Sequence, residues 1–328
     1  MCRLVYIFIN IQITSKAYAK ISFWEDFKLK VYLGIPRGFC AGVVRAIDVV
    51  ELALKKFGTP IYVKHEIVHN PYVVKSLEDK GAITVEKVEE IPNGSTVVFS
   101  AHGSPPSDFE KAEQNQLHVI DATCPLVTKV HNEAKKYTKE GMQVILVGHR
   151  GHQEVIGTMG QSDMHLIDER EGFDIPAWDK KAPVAVLTQT TLSVDDTQAA
   201  IDGITDKFEN VTVRNDLCYA TTNRQAAVKE LCKQVDLVLV IGAPNSSNCN
   251  RLREVAEAAG VTAYLVNGPD EIDDSWLTGI EQVGITSGAS TPDDLILAVI
   301  DKLKPDEVNR IDGVDEDISF VLPKELRN

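Results

Sequence analysis

From Lys30 onward, the apolar positions follow two alternating periods. Short unbroken apolar runs at 31–35, 144–147, 184–187 and 237–241 have the length of buried strands. Between such runs, apolar residues recur three or four apart, as at Val43, Ile47, Val50 and Leu54, which is the spacing of one helix face. Further strands are predicted at 60–63, 96–100, 117–120, 211–213 and 283–285. Helices are predicted at 43–57, 72–80, 127–137, 251–259 and 293–303. Others follow Pro105-Pro106-Ser107, begin at Asp195-Asp196, or end near Lys233. Such regular βα alternation implies mostly parallel sheets, hence an α/β protein. In the acidic tail after Lys304, the apolar run 318–322 reads as an edge strand.

One arrangement recurs three times: a strand, a short polar loop, a cysteine and then a helix, at Cys40, Cys124 and Cys218. The intervals between them each suffice for one small α/β unit. In open α/β sheets ligands bind beyond the carboxyl ends of the strands. The loops bearing Cys, His, Thr and Ser fall at such ends and are candidates for one shared surface. The central expectation is that three α/β lobes converge and bring three thiolates to one point.

Composition narrows the partners. The chain has 328 residues, more than one core, and a formal charge of −14. That charge disfavours a broad nucleic-acid or anionic-membrane surface, though a locally prepared site can still take a small anion. Six cysteines without close pairs do not form a secreted disulfide framework. No stretch reaches the ~20 apolar residues of a membrane helix. The first 29 residues are ambiguous. Arg3, the apolar run 4–13 and Ala17-Tyr18-Ala19 imitate a secretory signal, while Asn10 and Gln12 interrupt it. A start codon assigned too far upstream and an added extension are the other readings.

Three widely spaced cysteines do not match zinc sites, which commonly carry close pairs. A thiolate at a helix N-terminus gains from the dipole and the free N–H groups. Iron–sulfur clusters take thiolates, and three of them on a cubane leave one iron open as a Lewis acid beside an electron source. A lone cysteine is more commonly packing; three in one context reverse that reading. Cys232 and Cys249 read as packing, and Cys2 lies in the doubtful extension. His69, His102 and His152 sit in comparable loops, and Ser246, Ser247, Asn248 and Ser290 precede helices where N–H groups collect phosphate. Few Lys or Arg accompany them. An anion there would be held by neutral donors, helix ends and protonated histidine. Glu154 can supply protons at this donor-rich site.

Together these stretches resemble the 4-hydroxy-3-methylbut-2-enyl diphosphate reductase family. The resemblance rests on residues 36–43, 65–70, 100–103 and 121–127, on 148–149 with 151–152 and Glu154, on 188–193 and 218–225, on 245–248 with 251–252, and on 288–290. It implies three similar α/β lobes with pseudo-threefold arrangement around a central 4Fe–4S cluster, held by Cys40, Cys124 and Cys218 with the fourth iron open to substrate. It implies Glu154 as the proton-relay carboxylate, with His152 and Thr190 beside the substrate. His69, His102, Ser246, Ser247, Asn248 and Ser290 become diphosphate and substrate contacts. The implied reaction is reductive dehydroxylation to isopentenyl and dimethylallyl diphosphate in the cytoplasm, with electrons from a flavodoxin or ferredoxin. Val44, Gln153 and Ala243-Pro244 depart from the family pattern, and none of them is itself an implied ligand. The expected divisions are 1–29, an extension; 30–41, the first strand and Cys40 loop, packing with the third lobe; 42–124, 125–214 and 215–303, the lobes; and 304–328, the tail. A non-redox iron–sulfur dehydratase and a cluster-based sensor are the competing readings.

Overall fold

The structure, a computed structural model, describes residues 28–327. The readings of the first 27 residues therefore lie outside the described residues. Among those described, the elements run β1 (Lys30–Gly34), α1 (Ala41–Phe57), β2 (Ile61–Lys64), α2 (Pro71–Glu78), β3 (Ala82–Val85), β4 (Thr96–Phe99), α3 (Pro106–Gln114) and β5 (His118–Asp121). Then come α4 (Pro125–Lys139), β6 (Gln143–Val147), α5 (Gln153–Met159), β7 (His165–Ile167), β8 (Pro183–Thr188), α6 (Val194–Lys207) and β9 (Asn210–Val213). The chain closes with α7 (Tyr219–Leu231), β10 (Leu237–Ile241), α8 (Ser247–Ala258), β11 (Thr262–Val266), β12 (Gln282–Ser287), α9 (Asp293–Leu303) and β13 (Glu307–Ile311).

The strands form three all-parallel sheets, in the orders β3-β2-β4-β5, β7-β6-β8-β9 and β11-β10-β12-β1-β13. Parallel strands covered on both faces must be apolar on both. Accordingly, Leu237, Leu239 and Ile241 of β10 enter one core cluster, while Val238 and Val240 enter another. In β8, Val184 and Val186 face one way and Ala185 and Leu187 the other. The period of two along each strand thus divides every sheet between two helical layers. This is the expected three-lobed α/β architecture.

The sheets share one plan, permuted in the third. In the first two, the fourth strand in order is β5 or β9, and each leads into Cys124 or Cys218. In the third sheet the fourth place belongs to β1, which leads into Cys40. The N-terminal strand therefore completes a lobe whose other strands come more than 200 residues later.

The tail differs from the expectation. Residues 318–322 form no strand, and the edge is β13, paired with β1. β13 (EVNRI) has little apolar signal because one of its sides and most of its faces meet solvent. Ile318 and Val321 are exposed, whereas Leu322 packs on the first lobe's core. The short strands β3, β7 and β11 also went unread. Helix α8 begins at Ser247 rather than Arg251, so Ser247 and Asn248 lie inside its first turn.

Candidate active site

Each cysteine is the N-cap of a helix: Cys40 of α1, Cys124 of α4 and Cys218 of α7. Each is pinned the same way. The N–H groups of Cys40, Cys124 and Cys218 donate to the carbonyls of Ala289, Ala101 and Thr190, at 3.1, 3.0 and 3.1 Å. Those acceptors follow β12, β4 and β8, the third strand in order of each sheet. The site therefore carries the threefold plan down to individual hydrogen bonds. The Tyr219 hydroxyl accepts from Ala41 N–H at 3.1 Å, tying the Cys218 helix to the Cys40 helix.

These cysteines open onto one cavity between the lobes, with about 120 Å³ accessible to the centre of a water molecule. Glu154, His152, Thr190, His69, His102, Ser246, Ser247, Asn248 and Ser290 line the same cavity. All the residues singled out for chemistry are thus brought together. Gly42 leaves the wall open: a Cβ there would lie 2.8 Å from the Cys124 sulfur and 3.7 Å from that of Cys40.

Helix N-termini alone would lower the thiol pKa values, but burial wins. It raises Cys124 to about 12, against N–H groups of Leu126 and Val127 and with the help of Cys40 and Cys218. Burial likewise raises Cys218 to about 11, despite the Thr221 hydroxyl at 3.2 Å. Three thiolates so close need a cationic centre to coexist. Among the described residues, the three sulfurs are not all within 4.8 Å of one another. Thiolates around one tetrahedral zinc stand ~3.8 Å apart. The donor set fits a cluster better than a single ion.

Across the cavity, Glu154 opens α5 and is 3% exposed. Its carboxyl accepts from Thr190 N–H at 2.6 Å and from the Thr190 hydroxyl at 2.9 Å. Burial outweighs these bonds and raises it to about 7, the range of a general acid at neutral pH. His152 caps α5 by accepting Glu154 N–H at Nδ1, 3.2 Å, which leaves Nε2 to carry the proton of the neutral ring. Burial and the neighbouring histidines lower it to about 3.

At the far end, His69 bonds Glu66 through Nδ1 at 3.1 Å, and its buried Nε2 has no partner among the described residues. The rings of His69 and His102 stack, with centroids 4.0 Å apart and planes 27° apart. One nitrogen each from His65, His69 and His102 lies within 4.8 Å of the others. A single ion must lie near the plane of every ring that ligates it, and stacked rings do not allow that without turning. Two stacked ring edges suit the several oxygens of a phosphate better than one ion. Burial, then the neighbouring His69 and His152, hold the half-buried His102 well below its usual pKa.

The third lobe adds Ser246, N-cap of α8, and Asn248, whose two amide atoms are both buried without a partner. The Ser247 hydroxyl donates to the Thr191 carbonyl at 3.2 Å, and that of Ser290 to the His69 carbonyl at 3.0 Å. Glu66 also accepts from Asn245 Nδ2 at 3.0 Å, linking first and third lobes. A second group, His149, Asp168 and Glu169, is already filled by cations. Arg170 and the Arg150 N–H bind Asp168, and Arg251 binds Glu169. Glu66, Asn245, Gln189, Arg45 and Arg224 were not singled out from sequence. Nothing in their local pattern marks a partner in another lobe.

Three lobes around a cavity of thiols and anion-binding donors define a class, and the chain belongs to the LytB protein family, whose model matches residues 31–304. Among its relatives, 4-hydroxy-3-methylbut-2-enyl diphosphate reductase 1 of Rhodopseudomonas palustris is 52% identical over 306 residues, covering 90% of this chain and 99% of that protein. The 4-hydroxy-3-methylbut-2-enyl diphosphate reductase of Zymomonas mobilis is 50% identical over 307 residues, covering 92% and 90%. The solved structure of the E-1-hydroxy-2-methyl-but-2-enyl-4-diphosphate reductase from Plasmodium falciparum superposes with a TM-score of 0.88 at 37% identity, covering 91% of this chain and 96% of that one. No helix of the described residues is long and apolar enough to cross a membrane.

Proposed function

We propose that this chain reduces 4-hydroxy-3-methylbut-2-enyl diphosphate, removing its allylic hydroxyl as water with two electrons and two protons. The products are isopentenyl and dimethylallyl diphosphate. The observation that carries this reading is the shared cavity, lined alike by three N-cap cysteines, by the unpartnered Asn248 amide and by a buried acid. Cys40, Cys124 and Cys218 would hold a 4Fe–4S cluster. When bound, that group supplies the electrons and a vacant coordination position toward the hydroxyl.

The other roles belong to side chains. The unpartnered Asn248 amide, the serine hydroxyls and the ring nitrogens of His69 and His102 grip the diphosphate, with the N-terminus of α8 beneath it. Glu154, protonated near neutral pH, gives a proton toward the leaving hydroxyl, and the Thr190 hydroxyl at 2.9 Å holds its carboxyl in place. His152 offers Nε2–H at the same wall. A flavodoxin or ferredoxin fits as electron donor, and the cytoplasm as the compartment.

The test is anaerobic purification with iron and sulfide analysis, followed by an assay on the allylic diphosphate with and without reductant. The expected result is about four iron and four sulfide per chain and turnover only with reductant. Turnover without reductant would assign a dehydratase instead.

A further inference from the structure

Among the described residues, Arg224, on α7, is the bulkiest side chain wholly removed from solvent. Its guanidinium joins parts of the chain that are far apart in sequence. Nη2 donates to the Gly38 carbonyl at 2.8 Å, two residues before Cys40. Nη1 donates to the Ala220 carbonyl at 3.0 Å, two residues after Cys218, and to both carboxylate oxygens of Glu316, at 3.0 and 3.2 Å. Glu316 belongs to the tail, which leaves β13 and crosses the molecule. At Gly313 the tail lies so close to the Ile35 carbonyl that any side chain would collide.

Further along, the Val321 carbonyl accepts from Arg45 Nε at 2.8 Å. Arg45, nearly buried on α1, donates from Nη1 to the carbonyls of Ala122 and Thr123, each at 3.1 Å, just before Cys124. The tail then docks Leu322 and Leu326 on the first lobe's core. Two guanidinium groups thus tie all three cysteine loops to one C-terminal strap.

We propose that this strap braces the cofactor cage from outside, and that Glu316 is a positioning residue acting through Arg224 on the Cys40 loop and on the helix that Cys218 caps. The inference rests on the cluster reading above. A buried guanidinium without a counter-charge is costly. Without Glu316, Arg224 either leaves, freeing the Gly38 loop, or stays as an uncompensated cation near the cluster. The first outcome loosens two ligands. The second favours the electron-rich reduced cluster and raises its potential. Outer partners of metal ligands commonly change metal affinity 10–100-fold.

The experiment uses the anaerobically loaded full chain. In Glu316→Gln, cluster absorbance is expected to bleach about tenfold faster on exposure to an iron chelator, and the reduction potential is expected to move positive. Adding Arg224→Gln should bring the potential back toward the unsubstituted value. Glu316→Asp, which keeps the charge, should bleach at an intermediate rate and serves if the glutamine variant does not fold. A bleaching rate equal to that of the unsubstituted protein in both variants overturns the proposal. So does faster bleaching with an unmoved potential and a lowered unfolding midpoint, which marks general loosening. An unsubstituted protein that holds no cluster defeats the cofactor reading itself.

Discussion

At the cysteine end of the cavity, each cysteine N–H already has a carbonyl partner, and buried arginines brace the loops behind. At the histidine end, Asn248 keeps both amide atoms and His69 its Nε2 without a partner among the described residues. Buried polar groups are seldom left so. The difference separates two tasks. A permanent guest is served by loops already braced before it arrives, even though Arg224 Nε is left without a partner among the described residues. A ligand that comes and goes requires donors that are unsatisfied until it arrives. Unmet bonds of this kind suit the exchanging ligand proposed above.

The comparison breaks most severely at its fixed end. Cys40→Ser, Cys124→Ser and Cys218→Ser should each abolish turnover and the broad cluster absorbance, near ~400 nm. An intact spectrum in any one of them removes that cysteine from the ligand set. Next in size is Glu154→Gln, which should lower turnover by roughly 10²–10⁴ while leaving KM little changed. Turnover near that of the unsubstituted protein rejects the acid role. At the exchanging end, Asn248→Ala should raise KM by roughly 10–100-fold, about 1–3 kcal/mol, with the cluster spectrum preserved. A shifted spectrum would place Asn248 on the wrong side of the division.

Acidity gives a finer measure. Glu154 titrates near 7 when folded, against 4.5 for a free glutamate. Its protonated form is the one that donates, so turnover should fall as pH rises through about 7. A profile flat from pH 6 to about 8 would show that its proton is not used. Linkage has the same sign. Between 4.5 and about 7 the folded state holds more protons than the unfolded one, so this group makes the protein less stable as pH rises. Glu154→Gln should remove that loss, by at most about 3 kcal/mol above pH 7, as read from urea midpoints at two pH values. The smallest effect is expected from Glu66→Gln. It weakens the anchor of His69 and the Asn245 link, so KM should rise about fivefold with turnover unchanged. A change in turnover with KM constant would contradict a purely orienting role.

What the sequence disclosed follows from where the information lies. The three cysteines were legible because strand, loop, N-cap and helix are adjacent in the chain. Glu154 and His152 could be placed for the same reason. The braces were not legible: Arg224 and Glu316 are 92 residues apart, and each looks like an ordinary charge in its own window. The lowered pKa of His102 also escaped the sequence, because it depends on what surrounds the ring, and His69 and His152 reach it only in the fold. The edge strand β13 was missed, and 318–322 misread, because apolar content marks burial rather than pairing. Val321 spends its carbonyl on Arg45 while its side chain faces water.

The place of β1 in the third sheet has a consequence for biogenesis. That strand is among the first described residues to leave the ribosome, yet both its neighbours, β12 and β13, are among the last. The first and second sheets can pair their strands during synthesis, each from a continuous stretch. Cys40 acquires its fixed position only when the final hundred residues have emerged, because the Ala289 carbonyl that holds its N–H lies there. A chain halted before Ala289 would lack the acceptor that fixes the Cys40 loop.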